Sequence, residues 1–410
     1  MSIVKSQYPD IFRYTPAMDA RTNPYTPGAG VRPVELAGRD AEIESFEVIL
    51  ERATQGRSTR SEIYYGLRGV GKTVLLNELL GRARQRGWIA AKVEAELQED
   101  RTPFRNQLAG SLNQALRQVH RESKTKEMFV RALRTFKSFS LKASPDGSLS
   151  IGIDIDAQPG SADTGSLLMD LTDLAVSLGE AAQESKLGCV LLVDEMQNLS
   201  IDDLAAVSQA CHESSQRNLP FIVIGTGLPN LPGLLAQAKS YSERLYAYTR
   251  IDRLTATAAH EALTRPTDLE GVVWTDGAEA LVLDASGYFP YLIQQYGETT
   301  WNAAASSPID VDDARVGLRD GRAKLDAGFF LARWERATPA ERAYLAAMAE
   351  DGDGPSLSGE IATRLGKKLQ SLGPVRSKLI SKGIVYPPDH GLVAFSVPGM
   401  AGFIHRQSRS

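Results

Sequence analysis

Cysteine is nearly absent from this chain. Only Cys189 and Cys211 occur in 410 residues, too few for a disulfide framework and without metal-ligand spacing, so both read as reduced thiols of a core. No stretch approaches the roughly eighteen consecutive apolar residues of a membrane-spanning helix. The opening Met1-Ser2-Ile3-Val4-Lys5-Ser6-Gln7 also lacks the apolar block of a secretion signal. These absences predict a cytoplasmic chain with no membrane partner. Neither sign of charge dominates: 46 basic residues against 50 acidic leave a net charge of -4, which excludes wholesale coating of nucleic acid but permits a local basic patch. With 42% hydrophobic and 23% charged residues the composition is that of an ordinary folded protein. A chain this long exceeds what one core supports, and two or three domains are expected.

What is present is more specific. Gly66-Leu67-Arg68-Gly69-Val70-Gly71-Lys72-Thr73 fits G-x-x-x-x-G-K-[ST] at every position. Ile63-Tyr64-Tyr65 before it reads as a buried strand, and the residues from Val74 to Leu80 have the apolar spacing of a helix. In that setting the glycines let successive backbone N–H groups face a phosphate at a helix N-terminus. Lys72 is then expected at the β- and γ-phosphates of ATP, and the Thr73 hydroxyl at Mg²⁺. Val74 completes the nucleotide-binding set. A second signal is Cys189-Val190-Leu191-Leu192-Val193, an apolar run typical of a strand buried on both faces, ending in Asp194-Glu195. Two acids at such a tip are costly unless used: Asp194 as a Mg²⁺ ligand, Glu195 to polarise an attacking water.

The remaining chain reads in order. Residues 1–35, rich in Pro, Tyr, Thr and Gly, read as an extended arm. Gly38-Arg39-Asp40 follows, with Asp40 as a helix cap ahead of Ile43, Phe46, Val48 and Ile49. After the loop come a strand over 88–94 and helices near 104–119 and 125–136. Two alternating runs, 138–142 and 149–155, flank Pro145-Asp146-Gly147 and predict a hairpin insertion near 138–156. Such an insertion is either a device for meeting a partner or a passive decoration. Phe221-Ile222-Val223-Ile224-Gly225-Thr226-Gly227 predicts another buried strand, with Thr226 either touching the γ-phosphate or the water, or merely occupying a tight turn.

Together, Gly38-Arg39-Asp40, the Gly66–Thr73 loop and Val193-Asp194-Glu195 resemble the AAA+ superfamily, in its branch of archaeal-type ATPases, origin-recognition initiators and bacterial relatives. The resemblance implies an α/β, three-layer αβα P-loop NTPase sandwich over 36–254, a small all-helical lid over 255–307, a connecting helix over 308–337 and a winged helix-turn-helix over 338–410. It implies that Gly38 and Arg39 lie against the adenine side and that Thr226 is a sensor of the γ-phosphate. Arg244, with Arg250 and Arg253 behind it, would complete the ATP site of a neighbouring subunit in a homo-oligomer, the alternative being a surface ion pair. Where many AAA+ lids carry an arginine, this chain has Gly287-Tyr288-Phe289-Pro290, which resembles the STAND signalling ATPases and places Pro290 near the base.

Over residues 356–410 the bases Arg364, Lys367, Lys368, Arg376, Lys378, Lys382, Arg406 and Arg409 face the acids Glu360 and Asp389, leaving about +6 on one domain of an acidic chain. Arg364, Lys367, Lys368, Arg376, Lys378 and Lys382 are therefore candidate contacts to duplex DNA. Two functions stay open: a nucleotide-switched ATPase associated with DNA, or a signalling or scaffold ATPase whose C-terminal domain meets a protein client.

Overall fold

Apolar runs flanked by glycines and caps become the strands of a parallel sheet. The computed structural model describes residues 18–96, 104–120, 127–143 and 156–407. The chain forms two units: Gly38–Arg253 joined to Asp326–Ser410, and Leu254–Leu325 joined to the described part of Met1–Ala37.

In the first unit the order is α1 (Asp40–Thr54), β1 (Ser61–Tyr65), α2 (Lys72–Gln85), β2 (Ile89–Glu94), α3 (Phe104–His120), α4 (Glu127–Ala143), α5 (Leu167–Glu184) and β3 (Cys189–Asp194). Then come α6 (Ile201–Gln216), β4 (Phe221–Gly227), α7 (Leu231–Ala238), α8 (Ser242–Leu245) and β5 (Tyr246–Arg250). The sheet runs β2-β3-β4-β1-β5, with every pair parallel. β3 and β4 are buried along their whole length, as strands between two helical layers must be. This is the expected αβα sandwich. Its register pairs Glu94 with Asp194, Val193 with Gly225 and Tyr64 with Thr226. The carboxyl ends of β1, β2, β3 and β4 therefore line one edge of the sheet, the edge at which ligands of open parallel sheets bind.

Three expectations need correcting. Residues 138–142 are not a hairpin arm: they continue α4, because Phe129, Ala132, Leu133, Phe136 and Phe139 recur at helical spacing and all enter the core. The second arm, 149–155, lies outside the described residues. Asp40 is the first residue of α1 rather than its cap, which is Arg39, and Val48 faces away from the buried stripe of Phe46, Ile49 and Leu50.

The second unit holds α9 (Ala256–Leu269), α10 (Asp276–Ser286), α11 (Pro290–Ala303) and α12 (Val311–Lys324). The connecting helix expected over 308–337 runs without a break from Val311 to Glu335. Its first part, α12, lies against α11: a Cβ on Gly317 would come within 2.3 Å of Thr300 Oγ1, so only glycine allows this approach. The hydrogen bonding then changes to a π pattern over Leu325–Phe330. The described arm is anchored to the helices of this unit, its buried Tyr25 donating a hydrogen bond to the Leu263 carbonyl (2.5 Å).

Back in the first unit, α13 (Leu331–Glu335), α14 (Pro339–Ala349), β6 (Ser356–Leu357), α15 (Ser358–Arg364), α16 (Leu369–Ser381), β7 (Val385–Tyr386), β8 (Leu392–Phe395) and α17 (Met400–Gln407) follow. Thr338 and Glu341 form the reciprocal cap that opens α14. The helices precede a small antiparallel sheet, ordered β6-β8-β7, as the winged helix-turn-helix reading expects. β6 and α17 are additions to that reading. α17 stacks Phe403 on Phe330, with ring centroids 5.5 Å apart.

The helical assignment of 138–142 is testable. Phe139 is wholly buried, with the Arg105 guanidinium 4.8 Å from its ring centroid, so Phe139→Ala is expected to cost about 3–5 kcal/mol in equilibrium urea unfolding. An arm of an exposed hairpin would lose far less.

Candidate functional site

Glycine is required at two points of the loop between β1 and α2. A Cβ on Gly66 would lie 2.0 Å from the Ile251 carbonyl oxygen. Gly71, which caps α2, has φ of 90°, a left-handed conformation closed to most side chains. The loop therefore delivers the N-terminus of a fourteen-residue helix, with its unpaired N–H groups, to the carboxyl edge of the sheet. Lys72 opens that helix. The residue is 6% exposed, and its amine donates to the carbonyls of Gly66 (2.9 Å) and Leu67 (2.8 Å). Burial lowers its pKa to about 8; Glu195 and Asp194 oppose the shift, while Arg68 adds to it. Thr73 and Val74 follow in the first turn, half-buried.

Across the edge stands Asp194, 1% exposed. Its Oδ1 accepts the hydroxyl of Thr226 and the Glu195 N–H (2.9 Å). Its Oδ2 has the Lys92 amine at 3.8 Å but accepts no hydrogen bond. A buried carboxylate oxygen without a donor costs about 1–3 kcal/mol or more, and a hard divalent cation is the partner whose chemistry satisfies it. The residues present thus fit Mg²⁺. Thr226 is fully buried and given to Asp194, so its place in the site runs through that carboxylate. Glu195 adopts φ of 48°, an uncommon conformation for a side chain of this kind and a form of strain found at functional positions. Its Oε2 accepts from Arg68 Nη2 (3.0 Å) and Gln197 Nε2 (2.6 Å).

The two strand tips recognised from sequence therefore meet: Arg68 of the loop grips Glu195. Arg39 joins them from behind, buried and donating to the carbonyls of Val70 (2.9 Å) and Asp252 (3.0 Å). It braces the loop through its backbone, next to Gly38. Sequence reading missed Lys92, Glu94 and Gln197. The alternation of β2 was the available signal for the first two. Glu94, which the register sets beside Asp194, has its pKa raised by partial burial and by the Asp194 charge. Nothing local distinguished Gln197.

Arg244 lies away from the loop. Arg244 is exposed in α8, and Tyr246 beyond it pairs with Ser61 at the start of β1. The loop follows the other end of β1, so Arg244 sits across the length of the sheet from its own chain's site. Arg250 pairs with Asp252 at the surface (2.9 Å), and Arg253 is exposed. Pro290 is the first residue of α11 in the helical unit.

The charge count over 356–410 also needs correcting. Arg364 is paired with Asp351, Lys382 with the buried Glu341 (2.7 Å) and Arg406 with Asp326 (2.6 Å). All three acids precede Ser356, outside the counted window. Arg376 donates to the Leu392 carbonyl (3.0 Å). Lys367, Lys368 and Lys378 are exposed and stand outside these pairings.

The state of Lys72 yields a pH dependence. Phosphate binding needs the ammonium, and with a free-protein pKa of about 8 the amine is charged below that pH and neutral above it. Association with ATP is expected to hold steady up to about pH 7 and to weaken about tenfold per unit above 8, as binding takes up one proton. Fluorescent-nucleotide titration across that range measures it.

Residues 35–224 match the family model described as AAA ATPase domain, and residues 327–404 match one described as Domain of unknown function (DUF8462). No curated protein matches the chain. Among solved structures, the Walker-type ATPase paby2304 of Pyrococcus abyssi is similar at 15% identity over 91% of this chain and 97% of that one, with a TM-score of 0.58. Cdc6p from Pyrobaculum aerophilum is similar at 13% identity over 96% and 98%, with a TM-score of 0.45. The Orc1 protein of Aeropyrum pernix, solved in complex with DNA, is similar at 16% identity over 92% and 94%, with a TM-score of 0.43. At 15% identity the likeness to the Pyrococcus protein is one of fold. Residues 35–224 of this chain are an AAA ATPase domain.

Proposed function

We propose that the chain is a magnesium-dependent ATPase whose nucleotide state governs an association with duplex DNA through its C-terminal domain. The observation that carries the enzymatic half is the buried Asp194, with one oxygen satisfied by Thr226 and Glu195 and the other without a donor. Bound Mg²⁺, held by Thr73 and Asp194, would neutralise phosphate charge. The loop amides from Gly69 to Val74 bind the phosphates, those of Gly66 and Arg68 being given to the carbonyls of Gly227 and Ser396, and Lys72 exchanges the carbonyls of Gly66 and Leu67 for phosphate oxygens. Glu195 takes the proton of the attacking water once Arg68 and Gln197 release it. Thr226 orients Asp194. Arg244 lies too far along the sheet to assist its own chain's site, which supports its serving the site of a neighbouring copy.

Support for DNA comes from Lys367, Lys368 and Lys378, exposed on and before α16. A second reading, in which this domain meets a protein client, is favoured by the pairing of Arg364, Lys382 and Arg406 with carboxylates, since paired cations release no counterions.

Glu195→Gln is expected to lower steady-state ATP hydrolysis by about 10²–10⁴, and mixing it with an equal amount of Arg244→Ala protein is expected to restore part of the rate. Wild-type turnover in Glu195→Gln moves the base elsewhere, and a strictly additive mixture removes the role of Arg244. For DNA, replacing Lys367, Lys368 and Lys378 by Ala is expected to reduce the slope of log K against log salt by about 3 on a random duplex. No duplex binding by the parent chain, with or without ATP, leaves the protein-contact reading.

A further inference from the structure

The C-terminal domain reaches the phosphate loop. The Arg68 N–H donates to the carbonyl of Ser396 (2.9 Å), just beyond β8. Ser396 is itself buried and fixed, its hydroxyl donating to Gly383 (2.7 Å) and Ile384 (3.0 Å). Tyr386 of β7 and Ala394 of β8 pack with Leu228, and Leu67 of the loop packs against them. A Cβ on Gly383 would lie 3.2 Å from Arg68 Nη2, so the turn into β7 is built close against the guanidinium. That guanidinium donates to Glu195, Gln197 donates to the same oxygen, and Gln197 Oε1 accepts the Leu228 N–H (3.0 Å). The contacts close a ring: from Ser396 through Arg68, Glu195, Gln197 and Leu228 back to Tyr386.

We propose that Arg68 is a positioning residue for Glu195, and that the C-terminal sheet, seated on Leu67 and Arg68, holds this carboxylate in an ion pair that represses hydrolysis until the sheet withdraws. The proposal rests on the assignment of Glu195 as the base. With Oε2 committed to two donors, one of them charged, Glu195 takes a proton from water only by breaking an ion pair. The same sheet stabilises the resting loop, because Leu67 both packs beneath it and supplies a carbonyl to Lys72. Loss of the docking contact therefore frees the base and loosens the loop together. The partner that withdraws the sheet is whatever the C-terminal domain binds.

The test uses the full chain and steady-state hydrolysis of ATP with Mg²⁺, comparing Tyr386→Ala, Arg68→Gln, Arg68→Lys, the Tyr386→Ala/Arg68→Gln double variant and Glu195→Gln. Tyr386→Ala and Arg68→Gln are each expected to raise kcat by about fivefold or more, with the double variant no faster than the faster single one, because both changes release the same carboxylate. Arg68→Lys, which keeps the charge but not the planar fork, is expected to raise kcat less than Arg68→Gln does. An unchanged or lowered kcat in either Tyr386→Ala or Arg68→Gln, or multiplying effects in the double variant, overturns the proposal, provided Glu195→Gln is inactive. Turnover retained in Glu195→Gln instead overturns the assignment of the base. Should Tyr386→Ala lack a cooperative melt, Leu67→Ala removes the same contact from the loop side and is judged by the same criteria.

Discussion

A carboxylate at the end of a strand buried on both faces has few ways of being tolerated. Asp194 is 1% exposed, and the effective penalty for placing an ion there is several kcal/mol unless its oxygens are answered. The surrounding chain answers one oxygen and leaves the other without a donor. β4 contributes Thr226, and the chain turning after β3 contributes the Glu195 N–H. β2 contributes Lys92, at 3.8 Å from the second oxygen. The sheet order, with β3 between β2 and β4, is what allows one acid to be served from both sides. The positions of Lys72 and Glu195 follow from the same edge, since the loop after β1 and the turn after β3 leave the sheet in the same direction.

What was legible in the sequence was what is encoded locally. The phosphate loop needs glycines where a backbone must turn or come close, and Gly66 and Gly71 are found under those constraints. The buried strands are continuous apolar runs, and their acids stand out because nothing else in such a run is charged. The hairpin reading failed over 138–142 because alternation across five residues is compatible with a helix, and the decision belonged to Phe129, Phe136 and Phe139 in the core. The charge count failed for a similar reason. A window beginning at Ser356 sees Arg364, Lys382 and Arg406, but the acids that neutralise them, Asp351, Glu341 and Asp326, lie upstream and are brought near by folding.

The contact between the C-terminal sheet and the loop was beyond any sequence reading, because its polar part uses the carbonyl of Ser396, and every residue has one. Only the apolar part, Leu67 against Tyr386, Ala394 and Leu228, involves side-chain identity, and those positions read as ordinary loop and strand residues. Arg68 occupies a position that the phosphate-loop pattern leaves unspecified. The pattern therefore describes what a phosphate requires and is silent on how the loop is restrained.

That silence has a physical consequence. A phosphate draws on the same Lys72 ammonium that now serves the carbonyls of Gly66 and Leu67, so nucleotide binding competes with those two contacts. Leu67 is also part of the surface covered by the C-terminal sheet, and Arg68 beside it is tied to both that sheet and Glu195. Adjacent residues in one short loop cannot move independently, because the peptide unit joining them is planar. Whatever displaces Leu67 also shifts the backbone of Arg68. Under the proposed restraint, phosphate entry, release of the acid and loosening of the domain contact would be three readings of a single displacement.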